Sequence, residues 1–193
     1  MRELSLNILD IVENSVRAGA TLIKVSVIAK DGFLTIEIAD DGKGMSEEFL
    51  RSVTDPFTTT RTTRKVGMGI PLLKMAAFGD DQFESEMAAE TANGSFDIKS
   101  KLGAGTTVTA KFEIDNVDRA PLGNLAETAA TELFDGTPDF VWTFTVDDRS
   151  YSFDTRDLKS QLDGISVDNP EITHFVKELL TENFETVRGG TDL

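Results

Sequence analysis

The sequence predicts an α+β fold, a two-layer sandwich whose mixed, mostly antiparallel sheet carries helices on one face. Three observations lead there. Residues 4–19, LSLNILDIVENSVRAG, repeat apolar side chains at helical spacing, so that Leu4, Ile8, Ile11, Val12, Ser15 and Val16 share a face suited to packing on a sheet. Two segments that alternate apolar and polar residues follow directly, and two more lie at 95–101 and 106–114. Residues 124–193 then read as helix, strand, strand, helix, helix, a small αββαα appendage.

Each element has its own signal. Residues 20–30 alternate through Ile23, Val25 and Val27, and Asp31-Gly32 is a hairpin pair. Residues 33–39 alternate Phe33, Thr35 and Glu37 against Leu34, Ile36 and Ile38, and run straight into Asp40-Asp41-Gly42-Lys43-Gly44-Met45. A short acidic helix is expected over 46–53, with Ser46 as its cap and Glu47 and Glu48 in its first turn. Residues 55–65, DPFTTTRTTRK, show no period and read as an exposed loop. Val66-Gly67-Met68-Gly69-Ile70 opens an apolar helix over 71–77, where Pro71 is tolerated in the first turn. Met75-Ala76-Ala77 recurs as Met87-Ala88-Ala89, so residues 78–89 read either as an acidic insertion into that helix or as a chance alanine-rich repeat. Gly103-Ala104-Gly105 joins the later strand pair, and Pro121 and Gly123 mark residues 116–123 as a linker between a 1–115 domain and the 124–193 appendage. The appendage strands are expected at 140–146 and 150–154, between helices at 124–134, 155–162 and 169–187. At about 70 residues it is near the lower limit for independent folding and is expected to dock on the first domain.

Composition narrows the function. The chain has 193 residues and no cysteine, which excludes disulfides and thiolate metal sites. No apolar run approaches the roughly 18 residues a membrane span needs, and the first residues lack the basic-then-apolar order of a signal peptide. The expectation is a cytoplasmic protein with no membrane partner. A net charge of −15 argues against nucleic acid as a partner. The charge is uneven: 18 acids against 13 bases over residues 1–115, and 16 against 6 over 116–193, so the first part keeps the cations an anionic ligand needs.

Asp10, Asn14 and Arg17 are spaced to share one stripe of the first helix, opposite its apolar face. An acid, a carboxamide and a guanidinium in line suit a metal ion bound to a polyphosphate, although such a stripe alone also describes a solvated face. Three glycine turns follow. Asp41-Gly42-Lys43-Gly44 starts with a carboxylate that can accept from an adenine amino group, and its glycines let the backbone approach a ring. Gly67-Met68-Gly69 leads into a helix, where backbone amides attract phosphate. Gly103-Ala104-Gly105-Thr106 closes the series. Read singly these are a turn, a helix start and a hairpin; their order is the specific signal. Neither GxxxxGK[ST] nor a strand-linked GxGxxG is present.

In this order the chain resembles the GHKL ATPase superfamily, which holds the ATPase domains of DNA gyrase, the large heat-shock chaperones, the MutL mismatch-repair proteins and the bacterial histidine kinases. Residues 13–21, ENSVRAGAT, resemble the MutL N-box; DPFTTTR and VGMGI within 55–70 resemble the ATP lid and second glycine box of histidine kinases; residues 94–112 resemble the end of a kinase catalytic domain. The resemblance covers roughly residues 4–114 and implies a Bergerat-type ATP-binding fold with ATP and Mg²⁺ as cofactors. It implies that Asn14 ligates Mg²⁺, that Asp41 binds adenine, and that Gly42, Gly44 and Met45 belong to the first glycine box. Gly67, Met68 and Gly69 would form the second box, with Thr106 near adenine. Arg17 falls where histidine kinases carry a phosphate-contacting cation, and Arg61, Arg64 and Lys65 lie in the lid.

Two departures matter. Hydrolytic members carry Glu four residues before the Asn, where this chain has the shorter Asp10, with Glu13 turned about 60° around the helix; hydrolysis is therefore not implied. The ATP-binding region starts at residue 4, so a stand-alone protein without a phosphoacceptor hairpin is expected, and the one histidine, His174, reads as a surface position. The resemblance implies a regulatory protein kinase or phosphotransferase acting on an unidentified protein partner, with Asp10 as its proton acceptor. The alternatives are a slow ATPase switch that changes a homodimer or docking surface, and a non-catalytic module that only senses nucleotide.

Overall fold

The computed structural model describes residues 3–53, 69–78, 94–132, 138–167 and 169–193. In chain order the elements are α1 (Leu4–Arg17), β1 (Leu22–Lys30), β2 (Phe33–Asp40), α2 (Glu47–Val53), α3 (Gly69–Phe78), β3 (Gly94–Lys101), β4 (Gly105–Glu113), α4 (Leu125–Thr131), β5 (Asp139–Val146), β6 (Arg149–Asp154), α5 (Thr155–Gln161) and α6 (Pro170–Arg188). The expected loop 55–65 and Gly67 and Met68 lie outside the described residues, as does the expected insertion apart from Phe78, which ends α3.

Among the described residues six strands form one sheet, in the order β3-β4-β2-β1-β5-β6. All pairings are antiparallel except β1 with β5, so the sheet is mixed and mostly antiparallel, as its alternating segments predict. Alternation puts every second side chain on one face. Val25 stands between Ile38 and Trp142, and beyond them lie Val108 and Phe153, all buried. The opposite face carries Lys24, Ser26, Ile28, Thr35, Glu37 and Thr109, partly or fully open to water. Helix α1 packs on the covered face between α3 and α4. Its stripe holds as expected through Leu4, Ile8, Ile11, Val12 and Ser15, but Val16 is 37% exposed. At roughly 100° per residue Val16 falls a quarter-turn beyond the stripe's centre, where neither sheet nor neighbouring helix reaches it.

Residues 124–193 are not a separate appendage. Strand β5 pairs along the whole of β1, from Leu22 opposite Asp139 to Ala29 opposite Val146, so this region continues the same sheet. The buried side chains of both halves form one connected cluster. The expected linker is a strap: the amides of Leu4 and Ser5 donate to the carbonyls of Pro121 and Leu122 at 2.9 Å, and Leu122 is buried. The helices here start on side-chain caps, Asn124 accepting from the Glu127 amide, Asp154 from Arg156 and Asn169 from Glu171, and Gly189 ends α6 in the left-handed region. Phe184 of α6 docks on the sheet with its ring 5.4 Å from that of Phe144 and 6.0 Å from that of Tyr151. No described helix is long and apolar enough to cross a membrane.

One core implies one unfolding event. Urea transitions followed by the fluorescence of Trp142, the sole tryptophan and fully buried on β5, and by far-UV circular dichroism should coincide. Phe184→Ala should lower stability by about 3 kcal/mol. Two separated transitions would show that residues 124–193 fold apart from the rest.

Candidate functional site

Going along β2, the covered face reads Leu34, Ile36, Ile38 and then Asp40. The row that contains Asp40 is where this face changes from apolar to polar, because its neighbour on β4 is Thr106. Below that row lies a cavity of about 220 Å³ between α1, the end of β2, the 41–45 turn and α2. Its walls are apolar at Ile11, Ile38, Met45, Phe49, Val53, Ile70 and Val108, and polar at Asn14, Ser15, Arg17, Asp40, Lys43 and Thr106.

Asp40 is the acid of this cavity. Its Oδ2 accepts from Ser15 Oγ at 2.7 Å, and its Oδ1 accepts from the Gly42 amide at 2.9 Å. Asp41, the acid expected here, is turned away and is absent from the cavity wall. It is exposed and accepts from the Thr21 amide at 2.7 Å, from the Thr21 hydroxyl and from the Leu22 amide at 2.9 Å, stapling the β2 exit to the α1–β1 turn. The physical reason is the two-residue period of a strand: Asp40 continues the inward set, so Asp41 must point out. The Thr21 hydroxyl foremost, then the Leu22 amide, hold the Asp41 carboxyl below its ordinary value.

The first glycine turn is required by space. Gly44 has φ +62°, and a Cβ there would lie 2.0 Å from the Lys101 carbonyl oxygen. Gly44 and Met45 both line the cavity, and Gly42 supplies the amide to Asp40. Gly69 serves packing: a Cβ there would lie 2.6 Å from Asp10 Cβ, so the start of α3 presses on α1. Asp10 is half-buried at that contact and is not on the cavity wall. Asn14 is on the wall, with its Nδ2 buried and without a hydrogen-bond partner among the described residues. Arg17 lies on the wall too, its exposed guanidinium paired with Glu13 one turn back. Arg61, Arg64, Lys65, Gly67 and Met68 lie outside the described residues. His174 stands exposed on α6 beside Glu178.

Sequence reasoning missed Asp40, Ser15 as its partner, Lys43 and the apolar walls Phe49 and Val53. Counting alternate residues from Leu34 would have reached Asp40. A second hollow, about 410 Å³, lies between the 121–126 strap and α6. On its wall Arg188 donates to the carbonyls of Thr191 and Leu193.

The fold is α+β, and its cavity has an acid for its floor and glycine backbone on its rim. Residues 2–116 match the family described as "Histidine kinase-, DNA gyrase B-, and HSP90-like ATPase". That is more than half of the chain, and the protein belongs to this family; it is a histidine kinase-like ATPase domain, of a class that binds ATP. A putative sensor histidine kinase, NtrY-like, from Rickettsia felis is 24% identical over 119 residues, 61% of this chain. The histidine protein kinase DivJ of Caulobacter vibrioides is 31% identical over 119 residues, 58% of this chain. The chain spans 18% of the length of each of these relatives. Among solved structures, the Aquifex aeolicus MutL ATPase domain complexed with ADP is similar at 15% identity over 79% of this chain and 62% of that one, with a TM-score of 0.47.

The staple at Asp41 is testable through pH. A folded-state value below the unfolded one stabilises above the ordinary carboxyl range, and that stability is lost as pH falls through the folded value. Asp41→Asn should therefore melt lower than the wild type at pH 7, and the gap should close below about pH 4. A gap that persists undiminished to pH 2 would contradict the role.

Proposed function

We propose that the chain binds Mg·ATP in the cavity beside α1 and acts as a kinase-type regulatory protein on a protein partner in the cytoplasm. The observation that carries the reading is the pair Asp40 and Thr106, side by side at the end of an apolar pocket and walled by glycine backbone. A purine fits this chemistry: apolar walls for its faces, acceptors for its amino group. Asp40, rather than Asp41, is the residue that accepts from the adenine amino group. Its carboxylate is pre-aligned by Ser15 and Gly42, so little rearrangement is needed on binding.

The residues also fit a magnesium ion with its phosphates. Asn14 is on the wall and offers a neutral side-chain oxygen, the kind of protein ligand of which magnesium needs few, while its buried Nδ2 is the atom without a partner among the described residues. Asn14 would hold the ion, which would supply positive charge to the phosphates. Arg17 and Lys43 put positive charge on the same wall. We assign the lid cations Arg61, Arg64 and Lys65, and the amides of the Gly67-Met68-Gly69 turn, to the phosphates.

Asp10 lies one helical turn before Asn14 and is the acid assigned to accept a proton from a partner's hydroxyl. Glu13 is committed to Arg17. Asp10 is off the cavity wall, and a base acts only within hydrogen-bond reach, so transfer requires the partner to bring its hydroxyl to Asp10.

Calorimetry with ATP and MgCl₂ tests the binding. Asp40→Asn should weaken ATP by about tenfold or more, the loss expected for a hydrogen bond to a charged group. Asp41→Asn should leave affinity within about twofold, and Asn14→Ala should remove the magnesium dependence. Equal effects of the two aspartate variants would contradict the assignment. With labelled ATP and a partner, transferred label supports the kinase, and Asp10→Asn should abolish transfer while sparing binding. Released phosphate alone would favour the slow switch, and binding alone the sensing module.

A further inference from the structure

At one end of the covered face three side chains stand in a single row: Asp40 of β2, Thr106 of β4 and Ser100 of β3, each directly opposite the next. Asp40 and Thr106 line the cavity and Ser100 does not. Ser100 Oγ is nonetheless in reach of three groups: the Met45 amide nitrogen at 2.8 Å, the Gly105 carbonyl oxygen at 3.0 Å and Thr106 Oγ1 at 2.9 Å.

These contacts fix where the protons are. A serine hydroxyl has one proton to give and two lone pairs to offer. The Met45 N–H can only donate, so it occupies one lone pair. The Gly105 carbonyl can only accept, so it takes the Ser100 proton. One lone pair is left on Ser100, and the Thr106 hydroxyl, which can donate or accept, must donate to it. The opposite assignment would set the Gly105 oxygen and Ser100 Oγ against each other as two acceptors 3.0 Å apart with no proton between them. Thr106, a residue of the cavity wall, therefore has no hydroxyl proton left to give and offers only the lone pairs of Oγ1. Its neighbour Asp40, as a carboxylate, also only accepts.

We propose that Ser100 is a positioning residue that locks Thr106 as an acceptor and so makes the cavity select a purine with an amino rather than an oxo group at the edge facing Asp40. The inference rests on the nucleotide reading above and adds a source of base selectivity. An amino group supplies protons to this row of acceptors; an oxo group sets lone pairs against it. Without the Ser100 hydroxyl the Thr106 proton is free to swing into the cavity, where it can serve an oxo group.

Calorimetry of the full chain with Mg·ATP and Mg·ITP tests this. The wild type should prefer ATP. In Ser100→Ala the ratio of ATP to ITP affinity should fall about five- to tenfold, the equivalent of one net hydrogen bond. Ser100→Thr keeps the hydroxyl and should hold the ratio within about twofold of the wild type. On a Thr106→Val background, Ser100→Ala should no longer move it. Ser100→Cys, near-isosteric with a weakly hydrogen-bonding thiol, is the second variant should the alanine fail to fold, and should shift the ratio the same way. An unchanged ratio, or equal weakening of both nucleotides, would overturn the proposal and leave Ser100 as a mere tie to the Met45 turn. Failure of the wild type to bind either nucleotide would sink the nucleotide reading itself, and the inference with it; equal affinity for both would sink the selectivity alone.

Discussion

The hydrogen bond from Ser15 to Asp40 joins the last turn of α1 to the last residue of β2, across 25 positions of sequence. It is short, partly buried and made to a carboxylate, which places it among the stronger bonds a protein makes. Above it the sheet face is apolar and closes on α1 as ordinary core. At it the inward side chain is an acid that does not join the apolar core, and the cavity lies beside it. Because Asp40 is held from both sides, by the helix hydroxyl and by the Gly42 amide, the space has a defined floor.

The rim is set by backbone approach. The Lys43 amide donates to the Ala18 carbonyl and the Gly103 amide to the Lys43 carbonyl, so the turn after β2 is tied both to the end of α1 and to the β3–β4 hairpin. Gly105 sits at φ +89°, and a Cβ there would lie 1.9 Å from the Asp40 carbonyl oxygen. At Gly44 and Gly105 glycine is thus demanded by the crowding of neighbouring strands and only indirectly by any ligand. Gly69 is demanded by the contact between two helices. Gly44, Gly105 and Gly69 thus act through different contacts.

Much of this was legible in the residues. The period of α1, the Asp31-Gly32 hairpin and the alternation of four strands are local signals, and the elements they predict are present. The order of the motifs led to the family, and its sequence match covers residues 2–116. What was not legible is non-local or one residue out of phase. The parallel pairing of β1 with β5 has no turn to announce it, so residues 124–193 read as an appendage although they complete the sheet. At the Asp40-Asp41 pair, proximity to glycine favoured the second acid, whereas strand alternation favours the first. Val16 was placed by chemical type on a stripe too narrow to include it. Ser100 carried no signal beyond following Phe96 and Ile98 on the inward face, because its importance lies in three partners brought together from separate segments.

Amide chemical-shift mapping on uniformly ¹⁵N-labelled protein during a titration with Mg·ATP bears on the whole site at once. The largest changes should fall on Asn14 to Ala18, on Asp40 to Met45 and on Gly105 and Thr106, with β5, β6 and α6 nearly still. Changes centred on the hollow between the 121–126 strap and α6, or none at all at saturating nucleotide, would contradict the cavity beside α1 as the place where ATP is held.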